Sequence, residues 1–467
     1  MAQNPSVMQF ELTKDFLSDL RQSIKDGQMD QLSMQFSELH PADIAEIFDS
    51  IPIQEAKRLY DVLESEHASD VLVHLEEDVR EKLLTTLTSK EIAETIIDNL
   101  ESDDAADLLS ELTEEQQEEV IRLIKDSEQA SDLVDLLGYE EGTAGALMAK
   151  ELIAVNASWT VMKCVREMRR QAEEVEQVYT VYVVDDNEKL LGRLSVKELL
   201  LTPVDTEISN IYKPGIKSVT AEMDEEEVAS VMEKYDLVVV PVVDETNRLV
   251  GRITIDDILD VIKEEAEKDY QLASGIAQNV ESSDTVWLLS RARLPWLLIG
   301  LVGGILGAWV IGLYEGDLKI YPEMAFFIPL IAAMGGNVGV QASAIIVQGL
   351  ANKTIDLDSI PKKLLKELGV ALINGLVCSI IILSYNLFAS DSQNLSLTVS
   401  IALLAVIIVA GLFGTFIPLV LNRYKIDPAL ATGPFITTVN DILGLFIYFA
   451  IGRIMYDLPE DLLSGLF

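Results

Sequence analysis

Near the middle of an apolar run close to the end of the chain stands a carboxylate, Asp441, within ATGPFITTVNDILGLFIYF. An ionisable side chain at the centre of a membrane span is costly, so it usually faces a cavity or a partner. Helical spacing puts Thr437, Thr438 and Asp441 along one stripe, with Gly433 and Pro434 loosening the helix one turn earlier. A second polar group lies in AAMGGNVGVQAS, where Asn337 and Gln341 are four residues apart and share a face. Gly335, Gly336 and Gly339 beside them permit close helix contact or exposed carbonyls. One carboxylate, two amides, two hydroxyls and nearby carbonyls form an all-oxygen donor set, suited to a hard cation. Mg²⁺ gives up its water reluctantly and is often held by one or two carboxylates. One aspartate per chain would suffice if a two-fold axis brought two together. The alternative is that Asp441 pairs with a polar neighbour while Asn337 and Gln341 merely join helices; no Lys, Arg or His lies mid-span to neutralise it.

The elements that position these residues are long apolar helices. A span needs roughly 20 apolar residues, and five stretches qualify: Leu294 to Tyr314, Met324 to Val347, Leu368 to Leu387, Thr398 to Leu421 and Leu430 to Met455. An odd number places the chain ends on opposite sides. Basic residues collect on the cytoplasmic side. With the N-terminus inside, the inner segments carry Arg291, Arg293, Lys353, Lys362, Lys363, Lys366, Arg423 and Lys425, and the outer loops little beyond Lys319; Arg453 runs against the rule. The expectation is N-terminus cytoplasmic, C-terminus outside. The first residues lack a basic segment followed by a long apolar one, so no secretory leader is expected.

The remaining residues are of a different material. Residues 1–285 hold 65 acidic and 25 basic residues, net −40, whereas 286–467 hold 12 and 10, net −2. Such acidity opposes nucleic acid or anionic lipid headgroups as partners and favours metal cations, although acidic blocks also serve as solvated faces. Cys164 and Cys378 are distant in sequence, so neither a disulfide framework nor a cysteine metal site is expected. Within 1–140 a helical repeat recurs: LHPADIAEIFDSI from Leu39, LESEHASDVLVHL from Leu63, LTSKEIAETIIDNL from Leu87 and LESDDAADLLSEL from Leu100. Self-similar amphipathic helices with short connections predict an all-α stacked solenoid. Next comes a duplication: VYVVDDNEKLLGRLSVKELL from Val181 aligns without gaps to VPVVDETNRLVGRITIDDIL from Val240. Val-rich strands alternating with helices predict a compact α/β unit used twice.

The duplication resembles a pair of CBS domains, whose strand, G-x-hydroxyl stretch and helix stand here as GRLSVKE and GRITIDD. The order of acidic helical domain, tandem CBS pair, connecting helix and five spans resembles the MgtE family of magnesium channels across nearly the whole chain. GGNVGVQAS and DPALATGPFITTVNDILGL match that family's pore motifs. The resemblance implies an all-α N domain at 1–138, CBS motifs at 139–203 and 204–263, a plug helix at 264–285 and a five-helix pore domain at 286–467. It implies a homodimer in a bacterial plasma membrane, with Asp441 binding hydrated Mg²⁺ on the two-fold axis and Thr437, Thr438, Asn337 and Gln341 around it.

The resemblance further implies Mg²⁺ sensing by carboxylates between cytosolic domains. The matching positions are Asp236, Asp256, Asp257, Asp260, Glu265 and Asp269, with Asp103, Asp104 and Asp107 on the solenoid; Lys268 stands close to where the family can carry an acid. Acidic faces repel when empty, and a cation bound only in the closed arrangement stabilises it. CBS pairs often bind adenosine nucleotides through a hydroxyl-x-x-Asp motif; Thr254 and Asp257 fit it, Ser195 and Glu198 less well, and ATP is the ligand implied at the second motif. Three other readings are a membrane enzyme, a Mg²⁺ receptor that does not conduct, and an H⁺- or Na⁺-coupled transporter. A metalloprotease is opposed by the sequence: no HExxH exists, and His40, His67 and His74 all fall in the solenoid.

Overall fold

A computed structural model describes residues 12–457 except 174, 176, 281, 283, 352–359, 390–391 and 432. Lys353 therefore lies outside the described residues. The chain divides into two units, 1–263 and 264–467.

In the first unit, ten helices α1–α10 form the solenoid: Lys14–Lys25, Met29–Phe36, Pro41–Asp49, Ile53–Tyr60, Ser65–Val73, Glu77–Leu84, Ser89–Glu91, Ser102–Ser110, Glu114–Leu123 and Ser127–Leu136. Side-chain caps set the starts of α1, α3, α7, α9 and α10. Thr88 and Thr113 each form a capping box, with Glu91 and Gln116, and Pro41 occupies the first turn of α3. After α7 the chain continues as a π-helical turn, Ile92–Ile96, so the repeat from Leu87 is less regular than its sequence suggests.

The duplicated segment forms two small sheets. β1 (Ile153–Asn156), α11 (Val161–Gln171), β2 (Val181–Val184), β3 (Leu190–Leu194) and α12 (Val196–Leu201) belong to the first copy. After α12 come β4 (Lys213–Pro214), β5 (Val219–Thr220), α13 (Glu225–Tyr235), β6 (Val239–Val243), β7 (Leu249–Thr254) and α14 (Ile255–Ala273). Each sheet pairs its first two strands in parallel and its next in antiparallel, β1-β2-β3-β4 and β5-β6-β7. The lead-in segments are exchanged: β4 pairs with β3 of the first sheet, while Ala149 bridges Arg252 of the second. The repeat boundary read at 203/204 is thus not the edge of either sheet. One apolar core runs from the solenoid into the second copy, joining Leu109, Leu133, Met148, Val228 and Ile258. The first copy has its own core around Val155, Val181 and Leu194.

In the second unit, α15 (Val286–Leu313), α16 (Glu315–Ile320), α17 (Ile328–Ala351), α18 (Ile360–Ala389), α19 (Gln393–Arg423) and α20 (Pro434–Tyr456) follow. Among the described residues, five helices are long and apolar enough to cross a membrane, Val286–Leu313, Pro322–Ala351, Ile360–Ala389, Gln393–Arg423 and Pro434–Tyr456. The first four are longer than the runs read from hydropathy, the fifth starts later than read, at Pro434 rather than Leu430, and their number and order are kept. α19 is the most buried, packed against α17, α18 and α20. The connecting helix differs from its expected extent of 264–285: α14 begins at Ile255 inside the second copy and ends at Ala273. Gly275 then takes a left-handed φ of 80° and turns the chain, and Gln271 closes the turn by bonding both backbone groups of Val280.

Candidate cation site in the bundle and acidic clusters in the soluble half

Glycines let α17 approach α20. A Cβ on Gly336 would lie 3.0 Å from Cγ2 of Thr437 and 3.6 Å from Oδ1 of Asp441, so both side chains stand over bare α17 backbone. Asp441 is half-buried and makes no ion pair among the described residues. Thr437 donates its hydroxyl to the carbonyl of Gly433 at 3.0 Å, leaving the oxygen's lone pairs outward. Thr438 departs from the expected stripe: its methyl lies against Gly303 of α15, and its hydroxyl bonds the Pro434 carbonyl at 2.7 Å. At 100° per residue, neighbouring threonines face different helices. Asn337 and Gln341 share an exposed face of α17.

Sequence reasoning missed two residues here. Asn440, 2% exposed, has no hydrogen-bond partner among the described residues for its amide nitrogen or oxygen and packs on Gly339. Asp427, between α19 and α20, adds its negative charge to that of Glu265 beside Asp269 of α14. Burial first, then these two carboxylates, hold the Asp269 carboxyl above its ordinary range. The DPAL string containing Asp427 was visible in the sequence, but its nearness to α14 was not. A Cβ on Gly433 would strike the carbonyl of Ala273, and one on Gly275 would strike Pro434. The end of α14 therefore sits on the first turn of α20, about 10 Å along the helix axis from Asp441. Glu265 pairs with Lys268 at 2.8 Å, so that lysine partly neutralises the group.

In the first unit, α8 brings Asp103, Asp104 and Asp107 to Asp256 and Asp257 at the start of α14. Ser102 anchors α8: its backbone N–H and hydroxyl donate to Glu151 at 3.1 and 2.7 Å, and its hydroxyl accepts from the Lys150 N–H. Burial, then Asp104 and Asp257, hold Asp103 well above the carboxylate range; burial, then Asp257 and Asp107, push Asp104 up to about 7. Burial also raises Asp257, against the opposing effect of two bonds from Thr254, backbone N–H at 2.9 Å and hydroxyl at 2.8 Å. Those bonds cap α14, giving Thr254 and Asp257 a local structural role whatever else they bind. Asp260 is exposed on α14 one turn beyond Asp256 and Asp257, and Asp236 holds a left-handed turn after α13 with φ of 51°. No three His, Cys, Asp or Glu side chains among the described residues already form a metal-ligating shell.

The architecture matches known proteins along the chain. A family model described as a divalent cation transporter, MgtE, covers residues 328–451; the MgtE intracellular N domain covers 39–142; CBS domains cover 144–204 and 208–264. The magnesium transporter MgtE of Bacillus subtilis is 31% identical over 428 residues, 92% of this chain and 94% of its own. The chain belongs to the MgtE family. The MgtE magnesium transporter of Thermus thermophilus is 35% identical, over 69% of this chain and 72% of its own. A cytosolic domain of the Mg²⁺ channel MgtE, solved in complex with ATP, aligns with 52% of this chain and 99% of its own at 33% identity and a TM-score of 0.48. Within the MgtE family framework, the Asp441 site lies in the matched transporter segment, and the α8 cluster lies in the matched N domain and faces the second CBS domain.

Proposed function

We propose that two copies of this chain form a Mg²⁺-selective channel in a bacterial plasma membrane, with the N-terminus cytoplasmic and the C-terminus outside. Asp441 holds the hydrated ion, and the acidic clusters sense intracellular Mg²⁺ and close the path. The observation that carries this reading is the half-buried Asp441, without an ion pair among the described residues, set over the bare backbone of Gly336. A carboxylate there attracts a dication, and the α17 carbonyls beside it are suited to accept hydrogen bonds from the ion's retained waters. Thr437, Asn337 and Gln341 supply further polar groups along α17 and α20.

Gating follows from electrostatics. With α8 and α14 bringing five aspartates together, the closed arrangement of the N and CBS domains is self-repelling until dications enter it. Mg²⁺ then favours closure by its higher affinity for that state. The end of α14, seated on the first turn of α20, is suited to act as the plug, with Asp269, Glu265 and Asp427 as a second sensing group. The hydroxyl-x-x-Asp pattern of Thr254 and Asp257 supports ATP as a ligand of the second CBS motif.

Uptake into proteoliposomes loaded with a Mg²⁺-responsive dye tests conduction. Entry that falls as Mg²⁺ on the cytosolic face rises supports the gated channel. No entry under any condition leaves the receptor reading. Entry that requires an imposed H⁺ or Na⁺ gradient favours the coupled transporter.

A further inference from the structure

The seam between α17 and α20 closes over one buried polar group that the Asp441 site does not use. Asn440 precedes Asp441 on α20, about 100° round the helix from it, and points into the seam where Asp441 stands over Gly336. Its side chain is 2% exposed, and neither amide atom has a hydrogen-bond partner among the described residues. The amide lies on Gly339 of α17, where any Cβ would strike its nitrogen. The side chains around it are apolar. Cγ2 of Ile436 stands 2.6 Å from that same Cβ position, and a Cβ on Gly335 would lie 3.2 Å from Val406 of α19 and 3.4 Å from the Asn440 carbonyl. Ile436 and Val406 are both buried. Asn337 and Gln341 lie on the exposed face of α17, and the Gly339 carbonyl is set against Gly414 of α19.

An amide closed into such a seam gives up its hydrogen bonds to water and gains none in return. The cost is relieved when water enters. A seam lined by glycine, isoleucine and valine alone would close dry and stay closed, because apolar constrictions shut a path by expelling water. Asn440 opposes this. Parting α20 from α17 wets the amide and bares the backbone of Gly335, Gly336 and Gly339 beside Asp441 in one movement.

We propose that Asn440 is an ion-path residue whose unpartnered amide biases the seam between α17 and α20 toward its parted, hydrated arrangement. This rests on the channel reading above. In the closed channel the end of α14, seated on the first turn of α20, holds the seam against that bias.

The test compares N440V with N440T, in Mg²⁺ uptake by proteoliposomes with a Mg²⁺-free interior and in the thermal midpoint of the full-length protein in detergent with millimolar Mg²⁺. Valine and threonine are both β-branched and differ by a hydroxyl, so packing on Gly339 changes alike in the two and polarity does not. The midpoint of N440V should exceed that of N440T by about 2–4 °C. Its uptake should be about tenfold lower, the effect of one buried polar group on the parting of the seam. Equal uptake by the two variants overturns the proposal. So does a lower midpoint for N440V, which would mark an amide already satisfied in the closed seam by an internal water. No uptake by native protein removes the channel reading, and the inference with it. Should the β-branched pair fail to fold, N440A and N440S repeat the comparison with smaller side chains, and the same outcomes decide.

Discussion

Asp104 is a carboxylate whose surroundings disfavour its charge: burial, Asp257 and Asp107 lift it from 3.8 to about 7. Its effect on stability has a definite sign. Between those two values the unfolded chain gives up the proton that the folded chain keeps, so stability is full below about 4 and is lost as pH rises through about 7. Carboxyls with lowered values, such as Asp185 and Asp244, act only below the ordinary range and do not oppose this. In Mg²⁺-free buffer the unfolding midpoint of the first unit, residues 1–263, should therefore be higher at pH 5.5 than at 7.5. D104N should flatten that difference and reduce the stabilisation produced by added Mg²⁺. A midpoint that rises with pH across this window contradicts the assignment.

At the scale of elements, the contact of α17 with α20 depends on absent side chains. A Cβ at Gly339 would meet Asn440 and approach Cγ2 of Ile436 to 2.6 Å, and one at Gly414 of α19 would meet the carbonyl of Gly339. Overpacking of this kind costs about 1–3 kcal/mol, so G339A should lower the thermal midpoint of the detergent-solubilised protein. G304A, where a Cβ meets nothing within 4 Å, should leave it unchanged. Much of this level was legible beforehand. Apolar run length gave five spans in order, and the ungapped duplication gave two α/β copies. The exchange of lead-in segments was not legible, because β4 is only two residues long and carries no alternation. Nor was the course of the connecting segment, since the acidic surface of α14 carries no signal of where the helix must end. At the membrane site the composition pointed to Asp441 and Thr437, but helical spacing alone could not separate Thr438, which belongs to the α15 contact.

For the whole molecule, the net charge of −40 in residues 1–285 is the quantity on which the proposed cation dependence of assembly rests. Added Mg²⁺ should compact the first unit, and protease cleavage around residues 140–290 should slow between Mg²⁺-free and millimolar buffer, the weak regime of oxygen-ligand sites. Unchanged cleavage would remove the sensing role. Arg252 and Glu101 were not visible as a pair in the sequence because 151 positions separate them; the interface of the N domain with the second CBS copy creates their contact.

The central claim is that Asp441 carries the ion. Its most direct test is Mg²⁺ uptake by proteoliposomes containing native protein or D441A, with folding of the variant checked by its thermal midpoint and elution volume. The account predicts that D441A loses about tenfold or more in uptake, the order set by losing one charged contact at an intramembrane site, while retaining Mg²⁺-dependent protection of its first unit. Native uptake by a well-folded D441A would contradict it.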